Sequence, residues 1–435
     1  MDVDTAPVVI DLGYERGEPP TYRSPSRTTV PSWFPIALLS ALIMICAGAS
    51  AAPPKSPLSV VFRLPVGPAD GYALTGTGGL LAQSFGPLSA YDLATGRVRW
   101  QAGQSTPSYR LRTTDGLVLM RPLGIGGGDP GTTAVSVATG ASRWQRAGNV
   151  ITVAGSSALL GVSDMRSFAG VGRRVHGTID AVDPLTGATD WTVVVPNTAV
   201  LLGVPGPGDE GGRMLLVRDD RTATLHDLAD GRVLASAQLP AADYGPDNPT
   251  VAGGLILLRH PGAQSAELSA YDPATLKQVW TVPATGSLGV EACGDIACLI
   301  GSSGLRGLDP DTGDVLWSRP GWQSIEQQGD LFVAYGGSDG NDPIGVVDPD
   351  SGAVQVRLNG WRPVSGSGGG GQLLVTRVDD TGARTMVAVA RPGDVQPLLL
   401  AQLPAGTGDC QAASDRLVCR SMAGELVVWA YRSKG

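Results

Sequence analysis

The stretch YDLATGRVRW (residues 91–100) recurs along the chain and decides the fold. Each copy consists of a strand end, an Asp-x-x-Thr-Gly corner and a second strand that ends in Trp. Clear copies are YDLATGRVRW (91–100), VDPLTGATDW (182–191), YDPATLKQVW (271–280) and LDPDTGDVLW (308–317), and weaker copies are VSVATGASRW (135–144), HDLADGRVLA (226–235) and VDPDSGAVQV (347–356). In five copies the Trp follows the Asp position by eight residues, and so constant an offset indicates a structural repeat.

The residue types of the corner explain its geometry. An Asp at a strand end accepts a hydrogen bond from a main-chain N–H about two residues further on, and Gly takes the left-handed conformation that turns the chain back. The corner is therefore a hairpin turn, and the Trp ends the returning strand, where a large flat side chain can fill the gap between twisted sheets. We assign structural roles to the repeated residues, namely Asp92, Asp183, Asp227, Asp272, Asp309, Asp348, Trp100, Trp144, Trp191, Trp280 and Trp317.

A second hairpin precedes each corner, so the repeating unit has four strands. Its apolar strands include LLAQSF (80–85), LILLR (255–259) and LLVTR (373–377). Successive corner positions lie between 37 residues (Asp272 to Asp309) and 47 residues (Ser136 to Asp183) apart. Four-stranded units at a period of about forty residues are typical of a β-propeller.

The two ends of the repeat region are predicted to complete each other. LSVVFRLPV (58–66) is a strand without a unit of its own, and GELVVWAYR (424–432) is a third strand without a fourth. Their pairing would close the ring and remove a free sheet edge. With this shared blade included, the number of units reaches nine.

The phrase D-x-x-T-G-x-x-x-W within four-stranded units resembles the repeat of the PQQ-like (pyrroloquinoline-quinone) β-propellers. That family includes quinoprotein alcohol dehydrogenases and the lipoprotein of the outer-membrane β-barrel assembly machinery. The resemblance covers roughly residues 58–432 and implies an all-β fold of four-stranded blades, with eight favoured and nine allowed by the repeat count. Leu276 at a corner Gly position, and the missing Asp near residues 389–393, indicate degenerate blades. Because propellers host many unrelated activities, the resemblance is specific for the fold and not for the function.

Composition excludes a nucleic-acid partner. The 435-residue chain has a net charge of −8, and its only lysines are Lys55, Lys277 and Lys434, so no basic stripe is present to neutralise phosphates. The 61 glycines and 33 prolines describe a turn-rich chain, and a hydrophobic fraction of 42% is ample for a buried core. The preference for arginine over lysine suggests a bacterial origin.

Residues 33–52 (WFPIALLSALIMICAGASAA) carry no charge and predict a membrane anchor. About twenty helical residues match the roughly 30 Å hydrocarbon core, and Arg23 and Arg27 favour a cytoplasmic N-terminus. We therefore expect a single-pass protein of the bacterial cytoplasmic membrane, with the N-terminus inside and the propeller outside. The predicted parts are a disordered cytoplasmic tail (1–32), a transmembrane signal-anchor helix (33–52), a linker (53–57) and the propeller (58–432). The alternative is a cleaved signal peptide, because residues 49–51 (ASA) have the small-residue pattern of a cleavage site.

Export also predicts disulfides. Cys293 and Cys298 flank a short turn, Cys410 and Cys419 flank a longer hairpin, and both pairs join the first and second strands of their units. Cross-strand partners can bring their Cβ atoms within bonding distance if the register places them opposite each other. Free thiols in buried strands are the alternative.

No motif predicts a catalytic residue, a cofactor or a metal ligand. The quinone enzymes of the resembled family imply a calcium-bound quinone, an Asp base and a disulfide between adjacent cysteines, and this chain has no adjacent cysteines. His176, His226 and His260 each stand alone in their segments, whereas a metal site needs converging ligands. The glycine run at 365–371 precedes a strand rather than a helix, so it predicts a flexible loop and not a phosphate-binding turn.

Two functions of different classes fit the sequence. The first is a non-catalytic, extracytoplasmic scaffold that binds a protein or a cell-envelope ligand of unknown identity. The second is a PQQ- and calcium-dependent quinoprotein dehydrogenase. A sensor that signals to the tail fits less well, because 32 residues offer no output domain.

Overall fold

The computed structural model describes residues 31, 33–49, 57–67, 70–84, 86–103, 108–122, 131–153, 156–166, 173–206, 212–243, 247, 249–262, 265–379 and 381–431. Contacts divide the chain into two compact parts, Met1–Lys55 and Ser56–Gly435.

The first part contains one helix, α1 (Phe34–Ala49), among its described residues. It has 16 residues, and at about 1.5 Å per residue it is about 24 Å long, shorter than the roughly 30 Å hydrocarbon core. No helix in the described ranges is long and apolar enough to cross a membrane. The predicted transmembrane helix at residues 33–52 is therefore wrong, and so are the single-pass localisation and the membrane contact that depend on it. The predicted tail (1–32) and linker (53–57) lie almost entirely outside the described residues.

The second part is built from antiparallel strands that follow one another in chain order. The strands are β1 (Leu58–Pro65), β2 (Tyr72–Thr75), β3 (Gly79–Gln83), β4 (Leu88–Asp92), β5 (Val98–Gln101), β6 (Ser108–Thr114), β7 (Leu117–Pro122), β8 (Thr132–Ser136), β9 (Ser142–Arg146), β10 (Asn149–Thr152), β11 (Leu159–Arg166), β12 (Arg173–Val182), β13 (Thr189–Val204), β14 (Arg213–Arg218), β15 (Thr222–Asp227), β16 (Val233–Gln238), β17 (Thr250–Ala252), β18 (Leu255–His260), β19 (Glu267–Tyr271), β20 (Gln278–Pro283), β21 (Ser287–Cys293), β22 (Ile296–Gly301), β23 (Gly304–Leu308), β24 (Val315–Arg319), β25 (Trp322–Gln328), β26 (Leu331–Gly336), β27 (Asp342–Asp348), β28 (Ala353–Arg357), β29 (Arg362–Pro363), β30 (Leu373–Val378), β31 (Arg384–Ala390), β32 (Leu398–Pro404), β33 (Gly408–Ala413), β34 (Arg416–Ser421) and β35 (Glu425–Tyr431), with a short 3-10 helix at Gly369–Gly371.

Hydrogen bonds join the described strands into eight sheets, of which seven have four strands and one, β10–β16, has seven. The seven-stranded sheet holds two repeats, because the 16-residue β13 pairs with β12 on one side and, through its second half, with β14 on the other. The eight sheets match the favoured count of eight blades. When the seven-stranded sheet is divided into the two repeats that share β13, the described strands form nine repeats, the count that the sequence also allowed. We number these repeats as follows: repeat 1, β2–β5; repeat 2, β6–β9; repeat 3, β10–β12 with the first half of β13; repeat 4, the second half of β13 with β14–β16; repeat 5, β17–β20; repeat 6, β21–β24; repeat 7, β25–β28; repeat 8, β29–β32; repeat 9, β33–β35 with β1.

The repeats form a closed ring. First strands of neighbouring repeats contact each other, as β2 and β6 do, and β2 also contacts β33, so the last repeat returns to the first. Repeat 9 takes its fourth strand from the other end of the chain, because β1 pairs antiparallel with β35 from Leu58↔Tyr431 to Pro65↔Glu425. This is the pairing that the two ends of the repeat region predict. It gives each of the two strands a hydrogen-bonded neighbour along one edge.

The hydrophobic core lies between neighbouring sheets. In repeat 1 all five residues of β3 are buried, because both faces of the sheet are covered by adjacent repeats. One apolar cluster combines Leu80 and Ala82 of repeat 1 with Val418, Leu426 and Val428 of repeat 9. The middle strands therefore read as continuous apolar runs in the sequence and not as alternating patterns.

Candidate functional site

The corner aspartates use their carboxylates within their own turns. Asp92 Oδ1 accepts hydrogen bonds from the N–H groups of Ala94 (3.1 Å) and Thr95 (2.9 Å) and from the Thr95 hydroxyl (2.9 Å). The same position in other corners accepts an N–H two residues further on, from Leu185 at Asp183 (2.8 Å), Ala229 at Asp227 (2.9 Å), Ala274 at Asp272 (3.1 Å), Asp311 at Asp309 (2.8 Å) and Asp350 at Asp348 (3.2 Å).

These hydrogen bonds keep three of the corner carboxyls ionised. The Arg99 guanidinium, which donates to the carboxylate, lowers the pKa of Asp92 to about 2. The N–H of Thr186 lowers the pKa of Asp183, and the hydroxyl of Thr275 lowers the pKa of Asp272. Since hydrogen bonds to the charged form favour it, these groups do not exchange protons near neutral pH and suit a structural role better than acid–base catalysis.

Each repeated Trp lies against the corner of the next repeat. Its Nε1 donates to the main-chain carbonyl that follows the corner Asp position: Trp100 to Val137 (2.7 Å), Trp144 to Pro184 (3.0 Å), Trp191 to Leu228 (3.1 Å), Trp280 to Pro310 (2.7 Å) and Trp317 to Pro349 (2.8 Å). The ring also covers the corner glycine, since a Cβ on Gly140 would lie 2.4 Å from the ring of Trp100. The Trp side chains therefore connect consecutive repeats, and the main-chain carbonyl that each of them binds was not assigned from the sequence alone.

Repeats 4 and 5 replace this contact by another. Repeat 4 has Ala235 at the Trp position, and repeat 5 has Leu276 at the corner glycine position. Leu276 adopts a φ of +55°, is 3% exposed, and packs in one apolar cluster with Ala235. Leu276, which suggested a degenerate blade, thus compensates for the missing Trp. The side chain that fills this boundary comes from repeat 5 instead of repeat 4.

The structure contains both predicted disulfides. Cys293–Cys298 joins β21 to β22 with a Cα–Cα distance of 5.9 Å, and Cys410–Cys419 joins β33 to β34 with a Cα–Cα distance of 4.1 Å. Cys293 and Cys298 are fully buried, whereas Cys410 is only partly buried.

A cleft of about 430 Å³ lies between repeats 2 and 3. At its centre Arg146 Nη2 donates to Asp180 Oδ2 (2.7 Å), and this ion pair is partly exposed, at 17% for the Arg146 side chain and 22% for that of Asp180. Arg146 Nη1 also reaches Gly187 O and Thr189 Oγ1, both at 3.3 Å, and Thr192 Oγ1 donates to Asp180 Oδ1 (2.8 Å). The cleft therefore presents charged and hydroxyl groups that are already oriented, as a polar recognition site requires.

Ser163, which lines the cleft, is held by the main chain. Ser163 Oγ accepts from Thr178 N (2.7 Å) and contacts the carbonyls of His176 (3.1 Å) and Thr178 (3.3 Å). It lies at an irregularity in the pairing of β11 with β12, which these bonds stabilise. A serine nucleophile needs a hydrogen-bonded base, and the bonds described for this hydroxyl all involve main-chain groups.

His226, His260 and Glu291 lie on three different strands outside the cleft, and each has a shifted pKa. His226 hydrogen-bonds Gly231 O and Thr224 Oγ1, and its burial lowers its pKa. Burial, together with the neighbouring Arg221 charge, lowers the pKa of His260 to about 4. Burial raises the pKa of Glu291 to about 7.

His176 lies on the exposed face of β12, so the three histidines do not converge.

The described residues do not fit a calcium-bound quinone. Within those ranges no three His, Cys, Asp or Glu side chains converge as a metal site would require. Both disulfides join residues that are not adjacent in the chain, unlike the vicinal pair that the quinone enzymes imply.

The glycine run at 365–371, predicted as a flexible loop, has defined contacts. Gly370 N donates to the Asp330 carboxylate (3.1 Å), and Asp330 N donates to Gly368 O (3.1 Å). The glycine run thus binds the carboxylate of Asp330, which lies in the β25–β26 turn of repeat 7.

Comparisons with known proteins agree with the repeat architecture. The sequence profile of a family described as outer membrane protein assembly factor BamB matches residues 175–334. No protein of curated function matches the chain. A crystal structure of the eukaryotic initiation factor superposes with a TM-score of 0.50 at 10% identity, covering 90% of this chain and 95% of that one, and this likeness concerns the fold alone. BamB from Moraxella catarrhalis (16% identity, 86% of this chain, 100% of that chain, TM-score 0.41) and quinohemoprotein alcohol dehydrogenase from Comamonas testosteroni (11%, 87%, 77%, 0.38) are also similar.

Proposed function

We propose that this chain is a β-propeller of the PQQ-like repeat family and that it is a non-catalytic scaffold that binds a partner protein. The observation that carries the proposal is the cleft between repeats 2 and 3, where the Arg146–Asp180 pair is oriented but partly exposed. The repeated Asp and Trp residues are occupied by contacts within the ring, which leaves sites between repeats to provide recognition. The two disulfides favour an oxidising compartment for the scaffold.

The residues of the cleft suit a polar segment of a protein. Partly exposed charged pairs and hydroxyls at an interface set the specificity and orientation of a partner more than they set raw affinity. A cleft of about 430 Å³ accommodates one or two side chains and not a whole domain, so the surrounding surface of repeats 2 and 3 would supply the remaining contact area.

The test compares partner binding by variants of two arginines that make the same structural contact. Arg146 and Arg319 occupy equivalent positions two residues after their Trp, and each donates to the corner glycine carbonyl of the next repeat, Arg146 to Gly187 and Arg319 to Gly352 (2.7 Å). Only Arg146 also pairs with a carboxylate in a cleft. The full chain and the variants Arg146→Gln and Arg319→Gln are immobilised, cross-linked to proteins of an envelope extract, and compared by quantitative mass spectrometry.

We expect at least one protein that the wild type and Arg319→Gln retain and that Arg146→Gln retains at least tenfold less, at equal melting temperatures of the two variants. If no protein depends on Arg146, the cleft is not the binding site. A rise in melting temperature with PQQ that requires calcium would instead favour the quinoprotein alternative, since a ligand at a hundred times its Kd adds about 2.7 kcal/mol.

A further inference from the structure

The ring closes at a seam between repeat 9 and the start of repeat 1, and Arg420 makes the main polar contacts across it. Its Nη1 and Nη2 donate to Gly67 O (2.7 Å) and Asp70 O (2.6 Å), and its guanidinium lies 5.5 Å from the centre of the Tyr72 ring. The Tyr72 hydroxyl in turn donates to the main-chain carbonyl of Asp409. Arg420 and Asp409 also pair with each other at 3.3 Å. These two residues of repeat 9 therefore hold Gly67, Asp70 and Tyr72.

Both of these residues adjoin the Cys410–Cys419 disulfide. Asp409 precedes Cys410, and Arg420 follows Cys419. The pairing of β33 with β34 is irregular between Gly408 and Gln411, and Asp409 within this stretch has a φ of +46°. A residue other than glycine stays in the left-handed region only when its surroundings hold it there. The disulfide is the covalent bond that ties this irregular stretch to β34.

The Cys293–Cys298 disulfide has the same place in repeat 6 but different surroundings. It lies where β21 and β22 pair in regular register from Gly289↔Ile300 to Cys293↔Ile296, so main-chain hydrogen bonds hold these strands together without it. Both sulfurs belong to residues that are fully buried in an apolar cluster with Trp317. A thiol reagent in solvent therefore has less access to this pair than to Cys410, which is only partly buried.

We propose that Cys410–Cys419 is a redox latch on the ring seam, which a dithiol reductant opens while Cys293–Cys298 stays oxidised. A thiolate of the reductant attacks the Cys410 sulfur, because Cys419 is fully buried. The S–S bond breaks, the Cys419 sulfur leaves as a thiolate and takes up a proton, and the second thiol of the reductant displaces Cys410 from the mixed disulfide. Two electrons and two protons pass to the protein, and the reductant leaves as its own disulfide.

Reduction releases the strained stretch at Asp409. This residue then loses the conformation in which its carbonyl accepts the Tyr72 hydroxyl and its carboxylate pairs with Arg420. The contact between repeats 9 and 1 becomes weaker, while the other repeat boundaries keep their contacts. The latch thus regulates how firmly the ring is closed, which is separate from what the cleft between repeats 2 and 3 binds.

The test titrates the oxidised full chain with dithiothreitol and measures each disulfide by differential alkylation and mass spectrometry. We expect half-reduction of Cys410–Cys419 at a dithiothreitol concentration at least tenfold lower than that for Cys293–Cys298. In the window where only the first is reduced, hydrogen exchange should rise at least tenfold in Gly408–Ala413 and Asp70–Thr75, and should stay unchanged in Ser287–Cys293.

Two double variants serve as matched controls. Cys410→Ser with Cys419→Ser should show the faster exchange at the seam without reductant and should no longer respond to it. Cys293→Ser with Cys298→Ser should retain both the wild-type protection of the seam and its response. Equal reduction of the two disulfides, or unchanged exchange at the seam after selective reduction of the wild type, would overturn the latch, and this wild-type measurement decides the matter even where a variant does not fold.

Discussion

Single acidic residues in this ring have two kinds of surroundings. Asp92 lies at an exposed corner, where hydrogen bonds lower its pKa to about 2. Glu291 lies on the first strand of repeat 6, where burial and the nearby Glu326 charge raise its pKa to about 7 although Ile325 N donates to it (2.9 Å). Asp92 therefore stabilises its own turn as an anion, whereas burial and the Glu326 charge favour the neutral form of Glu291.

The surroundings of Glu291 predict a pH dependence of stability. Its pKa is higher in the folded chain (about 7) than the ordinary value of 4.5, so the folded state binds more protons between these values, and stability falls as the pH rises through this window. Glu291→Gln keeps an oxygen for Ile325 N and removes the titration. We expect the wild type to lose about 2 kcal/mol between pH 4.5 and pH 7 from this residue and the variant to lose none of it.

The measurement is denaturant unfolding at a series of pH values for the wild type and Glu291→Gln. Glu267→Gln removes an exposed carboxylate from β19 and is the charge-matched control. A variant whose stability falls with pH as steeply as that of the wild type would show that Glu291 ionises normally in the ring.

At the scale of elements, five of the repeats are joined to the next repeat by a Trp of their last strand. In the five repeats with a Trp, the Trp side chain rests on a glycine of the next corner. A residue with a Cβ would not fit at this glycine, because the Cβ would collide with the Trp and because the backbone has a positive φ. The boundary of repeats 4 and 5 fills the same space from the opposite side, with Leu276 facing Ala235. The space between neighbouring sheets is therefore filled at every one of these boundaries, although the residue that fills it differs.

This exchange predicts a coupled pair of substitutions. Ala235→Trp alone places a large ring against Leu276 and should destabilise the ring by about 2–3 kcal/mol. Leu276→Gly alone removes a buried side chain and should cost about 2–4 kcal/mol, reduced by relief of the positive φ. Together they recreate the Trp-on-glycine contact of the other boundaries, so the double variant should return to within about 1 kcal/mol of the wild type.

Equilibrium unfolding of the four proteins measures the coupling between the two sites. A coupling free energy of about 2 kcal/mol or more is expected. If the two single effects simply add in the double variant, Leu276 does not replace the missing Trp.

At the scale of the whole propeller, the ring is closed by the contact between repeat 9 and repeat 1. The closing strand β1 contributes the partner for β35 and also places Phe62 over Gly96, where a Cβ would lie 2.7 Å from the ring of Phe62. Phe62 thus takes the place of a repeat Trp at the one boundary where the two sides come from opposite ends of the propeller. Closure brings the two ends of the chain's second part into one sheet, so contacts at this seam join residues more than 300 positions apart.

Substitutions on β1 should therefore differ sharply in effect. Phe62→Ala removes a partly buried ring from the seam and should lower stability by about 2 kcal/mol, below the range for fully buried Phe because the side chain is not completely enclosed. Val60→Ala on the same strand changes a side chain that is 50% exposed and should stay within about 0.5 kcal/mol. Thermal unfolding of both variants checks the expectation, and equal losses would mean that β1 closes the ring by main-chain pairing alone.

The sequence alone predicted those features that depend on residues close together in the chain. The Asp-to-Trp offset of eight residues identified the hairpin corners, and their period identified four-stranded repeats. The unpaired strands at 58–66 and 424–432 predicted the closing pair, and the positions of Cys410 and Cys419 in facing strands predicted a disulfide. Turn formation and strand pairing within a hairpin are local events, so a short stretch of sequence contains most of the information that specifies them.

Only the tertiary structure decided which residues face each other across repeat boundaries. Trp144 reaches a carbonyl forty residues away, Leu276 replaces a Trp from the preceding repeat, and Arg146 meets Asp180 in a cleft. The sharing of β13 by two repeats and the 16-residue length of α1, which made the membrane anchor wrong, were likewise not visible in the composition of those segments. The physical reason is that burial, distance and pKa at a boundary depend on how two twisted sheets pack, and no local pattern in either sheet encodes the position of the other.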